Sequence, residues 1–176
     1  ATIAHPHSQI IALPVISPDV QRSLSGSENY YRTHNHCVHC DIIQFELKQR
    51  VRIVYENEHA VVVCPYASKT AFEMRIFPKR HAPEFDAMSD EEYAALGKAL
   101  QAALRKLHKG LDDPAYNYFI HTAPTPDHVS YPQYHWHLEI LPKTAIWAGF
   151  EIGTGIEIST IAPESAAAFL RDAEEA

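Results

Sequence analysis

Histidines and cysteines recur in this chain at spacings that chemistry can use. Residues 5–7 read His-Pro-His and residues 37–40 read Cys-Val-His-Cys. His81 closes the run FPKRH, and residues 135–137 read His-Trp-His. A Cys-x-x-Cys pair can offer two thiolates to one Zn2+, and a tetrahedral site then needs two further ligands. His81, at the end of a predicted strand, and His135 are the histidines the sequence offers to Cys37 and Cys40. Such a site would tie both ends of a sheet together, at a strength on the order of 10 kcal/mol in small zinc domains. A redox pair is the competing reading, but the flanks lack the thioredoxin-like pattern and strand setting. Four protein ligands would leave no open position for water, which argues against a zinc hydrolase. Cys64, inside AVVVCPY, reads as a small buried hydrophobe.

The two His-x-His pairs pose a second question. On a strand, His135 and His137 share one face and Trp136 takes the other. A lone strand histidine is usually structural, whereas two on one face also allow a shared ligand or catalytic role. HSQIIALP and HLEILP have the same order of histidine, polar position, apolar run and proline. If the second copy ends a unit of Cys-x-x-Cys, strand-end His, helix and His-x-His, the first copy should end an equivalent unit. No such segment precedes His5. The expectation is the tail of a two-unit protein, and Ala rather than Met at position 1 fits a processed or truncated product.

The elements that must position these residues are legible from periodicity. SPDVQRSLSGSENYYRTHNH reads as a helix starting near Ser17-Pro18 and then a loop, and CDIIQFELKQR as a short helix after the cysteines. RIVYENE, AVVVCPY and FEMRIFP read as strands, the first two joined by a tight hairpin. Ser89 with Glu92 forms a capping box, and Tyr93, Leu96, Leu100, Leu104 and Leu107 repeat at helical spacing. AYNYFIHTA and QYHWHLEILP read as further strands, and APESAAAFLRDAEE as a closing helix. SQIIALPVI suits a strand, and the glycines of IWAGFEIGTGIEI suit a bend in an edge strand. Strands, one long helix and more strands predict an antiparallel α+β domain with helices packed on one face. At 176 residues the chain supports one sizeable core. A net charge of -7 argues against a nucleic-acid or anionic-membrane binder. There is no signal-peptide pattern, no membrane-spanning apolar run and no Gly-rich phosphate loop.

HPHSQ, CVHC, ENEHAVVVCPYASKTAFEMRIFPKRH, DDPAYNYFIHTAP, YHWHLEILP and GFEIGTG together resemble the galactose-1-phosphate uridylyltransferase family. That family is a two-repeat branch of the histidine triad superfamily, and the likeness spans essentially the whole chain in order. It implies a histidine-triad-like antiparallel sheet, with residues 1–16 as the final strand of an N-terminal repeat that carries the nucleophile motif. Residues 17–36 would be a linker helix and loop, and residues 37–176 the C-terminal repeat. The family reaction moves a uridylyl group from UDP-glucose to galactose 1-phosphate through a covalent nucleotidyl-histidine. By position His7 matches the nucleophile, and Gln9 the residue that hydrogen-bonds the phosphoryl oxygens. Ser8 reads as a surface-facing spacer between them, and His5 matches a zinc ligand of the first repeat.

Cys37, Cys40, His81 and His135 match a second-repeat Zn2+ site, the set favoured here because thiolates suit zinc. Other members bind a metal through residues matching His121, His135 and His137. His137 matches the second repeat's counterpart of the nucleophile, with no chemistry expected there. Phe150 and Glu151 match a segment that closes over the nucleotide sugar, often from the partner of a homodimer. The resemblance implies a cytoplasmic enzyme of galactose metabolism whose partners are a nucleotide sugar and a hexose 1-phosphate. Two alternatives stand beside it: adenylyl transfer from ADP-glucose to phosphate, and a catalytically incomplete, zinc-stabilised binding or dimerisation fragment.

Overall fold

The computed structural model describes residues 5, 7–11, 13–124, 130–146 and 148–173. Helix α1 (Pro18–His34) begins where Ser17 accepts a hydrogen bond from the Val20 amide and Pro18 presets the first turn. It ends at Asn35, whose left-handed backbone (φ 55°) suits an Asn cap. Helix α2 (Val38–Gln49) follows at once with Cys37 as its N-cap. Helix α3 (Asp90–Gly110) carries the expected capping box: Ser89 accepts from the Glu92 amide and Glu92 accepts from the Ser89 amide.

Five strands, β1 (Ile53–Glu56), β2 (Ala60–Val63), β3 (Met74–Pro78), β4 (Tyr116–His121) and β5 (His137–Pro142), form one sheet. All pairs are antiparallel, in the order β1-β2-β3-β5-β4. The short β1–β2 connection is a tight hairpin, with the Asn57 side chain accepting from the His59 and Ala60 amides.

Alternation along the strands sorts the two faces. Val54, Val62, Met74, Ile76, Leu138 and Ile140 point to the main core. There they meet Leu96, Ala99, Ala103 and Leu107 of α3, and Ala166, Ala167 and Leu170 of α5 (Pro163–Asp172). The opposite face is also partly covered. Ile53, Val61, Val63 and Phe77 pack on Ile43 of α2 in a smaller cluster. Helix α1 brings Leu24 against Ala123 and Tyr134. The sequence signalled α3 through its amphipathic repeat; the α2 contact rests on few residues and needs the sheet to reveal it. No helix among the described residues is long and apolar enough to cross a membrane.

Three elements differ from expectation. Residues 7–11 and 13–16 form no strand: Ile10, Ile11, Leu13 and Val15 are exposed, because both edges of the sheet are made by other segments. Strand β5 starts at His137, since the Trp136 amide is taken by the Ala82 carbonyl at 3.0 Å. The GFEIGT run is a short helix, α4 (Gly149–Thr154), not a bent edge strand. Glu151 accepts from the Ala148 amide, and the Ile152 amide closes onto the Ala148 carbonyl. Gly155, at φ 68°, then ends it in a conformation glycine adopts without a Cβ penalty.

Candidate functional site

The cysteines and two of the histidines come from three separate elements. Cys37 caps α2 and Cys40 lies in its first turn. His81 stands just past β3, and His135 just before β5. Their ligand atoms all lie within 4.8 Å of one another. His81 Nδ1 is 3.3 Å and His135 Nδ1 3.5 Å from Cys40 Sγ. In each ring the far nitrogen is committed to a backbone carbonyl. His81 Nε2 donates to Pro132 at 2.9 Å and His135 Nε2 to Pro78 at 3.0 Å. That pairing leaves both Nδ1 lone pairs turned toward the thiols, as in sites where an outer hydrogen bond sets the metal-binding tautomer. Cys37 and His135 are buried, Cys40 and His81 half-buried. The hydrogen bond from Cys40 holds the Cys37 thiol well below its usual range, and the same contact drives the Cys40 thiol upward. Two sulfurs and two ring nitrogens, all within 4.8 Å of one another, could hold a metal ion.

Beside this cluster the sheet face carries a second one. His121, His137 and Glu139 also bring their ligand atoms within 4.8 Å. His121 stacks on His137 with ring centroids 5.0 Å apart. His137 Nδ1 donates to the His135 carbonyl at 3.2 Å, and burial pushes this imidazole well below its ordinary pKa. Glu139 is paired with Arg75 at 3.2 Å and Lys69 at 3.3 Å, and Arg75 with the fully buried Glu73 at 2.9 Å. These cations compensate the carboxylates, which would otherwise be costly to bury.

Two residues of this face were not singled out in the sequence. Glu139 follows His137 at strand spacing, so alternation could have placed it there. His39 sits between the two cysteines, is buried, and lies 5.3 Å from the His137 ring. Burial is the main cause that lowers its pKa, to about 4, and neither of its ring nitrogens has a hydrogen-bond partner.

The N-terminal motif supplies no member of either cluster. His7 and Gln9 are exposed. His7 Nδ1 faces the His5 carbonyl at 3.0 Å, the same local bond that His137 makes to His135. Ser8 is no free spacer, because its hydroxyl is hydrogen-bonded to that of Tyr118 on β4. Phe150 and Glu151 lie on α4, with Phe150 half-exposed. Among the described residues no hydrogen bond or ion pair joins them to His7 or Gln9.

Residues 24–175 match the family model described as "Galactose-1-phosphate uridyl transferase, C-terminal domain". The chain is 39% identical over 173 residues to a protein of Arabidopsis thaliana named ADP-glucose phosphorylase, covering 98% of this chain and 48% of that protein. A solved structure titled "Structure of uridylyltransferase" superposes with a TM-score of 0.89 at 34% identity, covering 99% of this chain and 56% of that one. The chain thus spans about half the length of the relatives it matches. A Zn-bound histidine triad family protein from Mycobacterium smegmatis matches 78% of this chain and 91% of its own, with a TM-score of 0.54 at 20% identity. That likeness concerns the fold, an α+β sheet of the histidine-triad kind. With a family model covering most of its length and the same architecture in its solved relatives, the chain belongs to the galactose-1-phosphate uridyl transferase family, as its C-terminal domain.

Proposed function

We propose that the protein to which this chain belongs transfers a nucleotidyl group between a nucleotide sugar and a hexose 1-phosphate, through His7. One observation carries the reading: the bond from His7 Nδ1 to the His5 carbonyl. A carbonyl can only accept, so Nδ1 holds the proton and Nε2 keeps its lone pair on an exposed ring. In the first half-reaction Nε2 attacks the α-phosphorus of UDP-glucose. The N–P bond forms, the P–O bond to the sugar phosphate breaks, and its electron pair leaves with glucose 1-phosphate. In the second, a phosphate oxygen of galactose 1-phosphate attacks the same phosphorus and returns the electron pair to Nε2. Gln9 is placed two residues on to hydrogen-bond the phosphoryl oxygens, where negative charge gathers.

Phe150 and Glu151 serve in this reading as sugar contacts, brought to the site across a homodimer of the whole protein in the cytoplasm. Cys37, Cys40, His81 and His135 hold one Zn2+. The donor set fits zinc, and four protein ligands give it a structural role. The orientation of both histidines by Pro78 and Pro132 supports this set over one using His121 and His137.

A second reading, adenylyl transfer from ADP-glucose to phosphate, is favoured by the 39% identity to the relative named ADP-glucose phosphorylase. Intact mass after incubation with UDP-glucose, and separately with ADP-glucose, tests both. A covalent gain of one uridylyl or one adenylyl group, lost in His7→Ala, identifies the nucleophile and the donor. An adduct that persists in His7→Ala overturns the assignment. No adduct from either sugar in the complete protein removes the nucleotidyl-transfer reading and leaves a zinc-stabilised binding or dimerisation module.

A further inference from the structure

The bond from His7 to His5 is local: it sets the tautomer but says nothing of where the ring stands relative to the sheet. Residues 7–11 and 13–16 belong to no helix or strand, and most of their apolar side chains are exposed. Among the described residues, the one side-chain hydrogen bond joining this stretch to the folded body runs from Ser8 to Tyr118. Tyr118 is a firm anchor. It lies opposite Ile140 in the β4–β5 ladder, and its half-buried ring packs on the main core, leaving the hydroxyl at the margin. Ser8 stands between His7 and Gln9, so whatever fixes Ser8 fixes the backbone from which both of those side chains project.

We propose that Tyr118 is a positioning residue for the His7–Gln9 segment: its hydroxyl holds Ser8, and so sets His7 and Gln9 in one place against β4. Tyr118 touches no reacting atom and acts through Ser8. The proposal deepens the nucleotidyl-transfer reading and rests on it for its catalytic consequence, though not for the anchoring itself. Ordering a nucleophile before reaction lowers the barrier by entropy already lost, and a small misplacement can cost orders of magnitude in rate.

The test uses Tyr118→Phe, Ser8→Ala and the double variant, since Phe keeps the packed ring. Backbone amide order parameters of residues 7–11 report the anchor without any substrate. They are expected to fall in each variant to below roughly 0.6, the flexible range, with melting temperature and metal content unchanged. Adduct formation from the nucleotide sugar is expected to slow roughly 10-fold in each single variant, and by no more in the double variant, because both remove one interaction. The half-saturating sugar concentration should stay put. Order parameters unmoved by Tyr118→Phe overturn the proposal, as do additive losses in the double variant. Loosened residues 7–11 in a protein that forms no adduct even as wild type would keep the anchor and discard the nucleophile.

Discussion

Individual side chains here are set by what their second polar atom does. His81 and His135 would be ambiguous ligands if both ring nitrogens were free; the carbonyls of Pro132 and Pro78 remove that ambiguity. His7 is treated the same way by the His5 carbonyl, with the opposite nitrogen left available. This predicts that Cys37→Ser, which removes one sulfur from the four-atom cluster, releases the metal. Metal content by mass spectrometry should drop to near zero, and the melting temperature should fall by roughly 10 °C. Full metal retention in that variant would mean that the ligands are others. The residue scale also shows where sequence reading stops. The clustering of Cys37, Cys40, His81 and His135 could be read from a Cys-x-x-Cys pair and two histidines placed at strand ends. The burial of His39 could not, because a histidine between two cysteines gives no sign of which side of a helix is covered.

At the scale of elements, caps and packing hold the site's supports in place. Glu92 closes the capping box of α3 and also takes both a 2.6 Å and a 2.9 Å bond from Arg80, the residue before His81. The start of the long helix and the loop that delivers His81 are therefore pinned together. The Arg80 guanidinium first, and the Ser89 amide second, hold the Glu92 carboxyl at about 2 against an ordinary 4.5. Because the folded value lies below the unfolded one, the carboxylate's contribution is complete above about pH 4.5 and lost as the pH falls toward 2. Glu92→Gln is expected to cost about 1–2 kcal/mol at neutral pH. The gap in melting temperature between wild type and variant should narrow between about pH 5 and pH 3; a gap that widens there would contradict the role. Ile76, fully buried at the centre of the sheet, gives a second check. Ile76→Ala should destabilise by ~3 kcal/mol in urea titrations, against under 1 kcal/mol if the α3–sheet core were loosely packed. The long helix was plain in the sequence because its apolar period runs for many turns. The α4 segment was not, since six residues with two glycines carry too little periodicity to separate a helix from a bend.

Across the whole molecule, the Cys/His centre joins the start of α2, the end of β3 and the entry to β5, segments far apart in the chain. A metal held there would tie these segments together, so a strong chelator should lower the melting temperature on the order of 10 °C and re-added zinc should restore it. A transition unaffected by chelation would remove the structural role proposed for the centre. The amino-acid sequence determined the α+β class, the strand and helix periods, the caps and the four candidate ligands, because these depend on short-range spacing and residue chemistry. Tertiary structure alone decided that His39 packs beside His137, that α2 covers the second side of the sheet, and that Ser8 meets Tyr118. Each of these depends on which distant segments the antiparallel order β1-β2-β3-β5-β4 lays side by side, and a local pattern holds no record of that pairing.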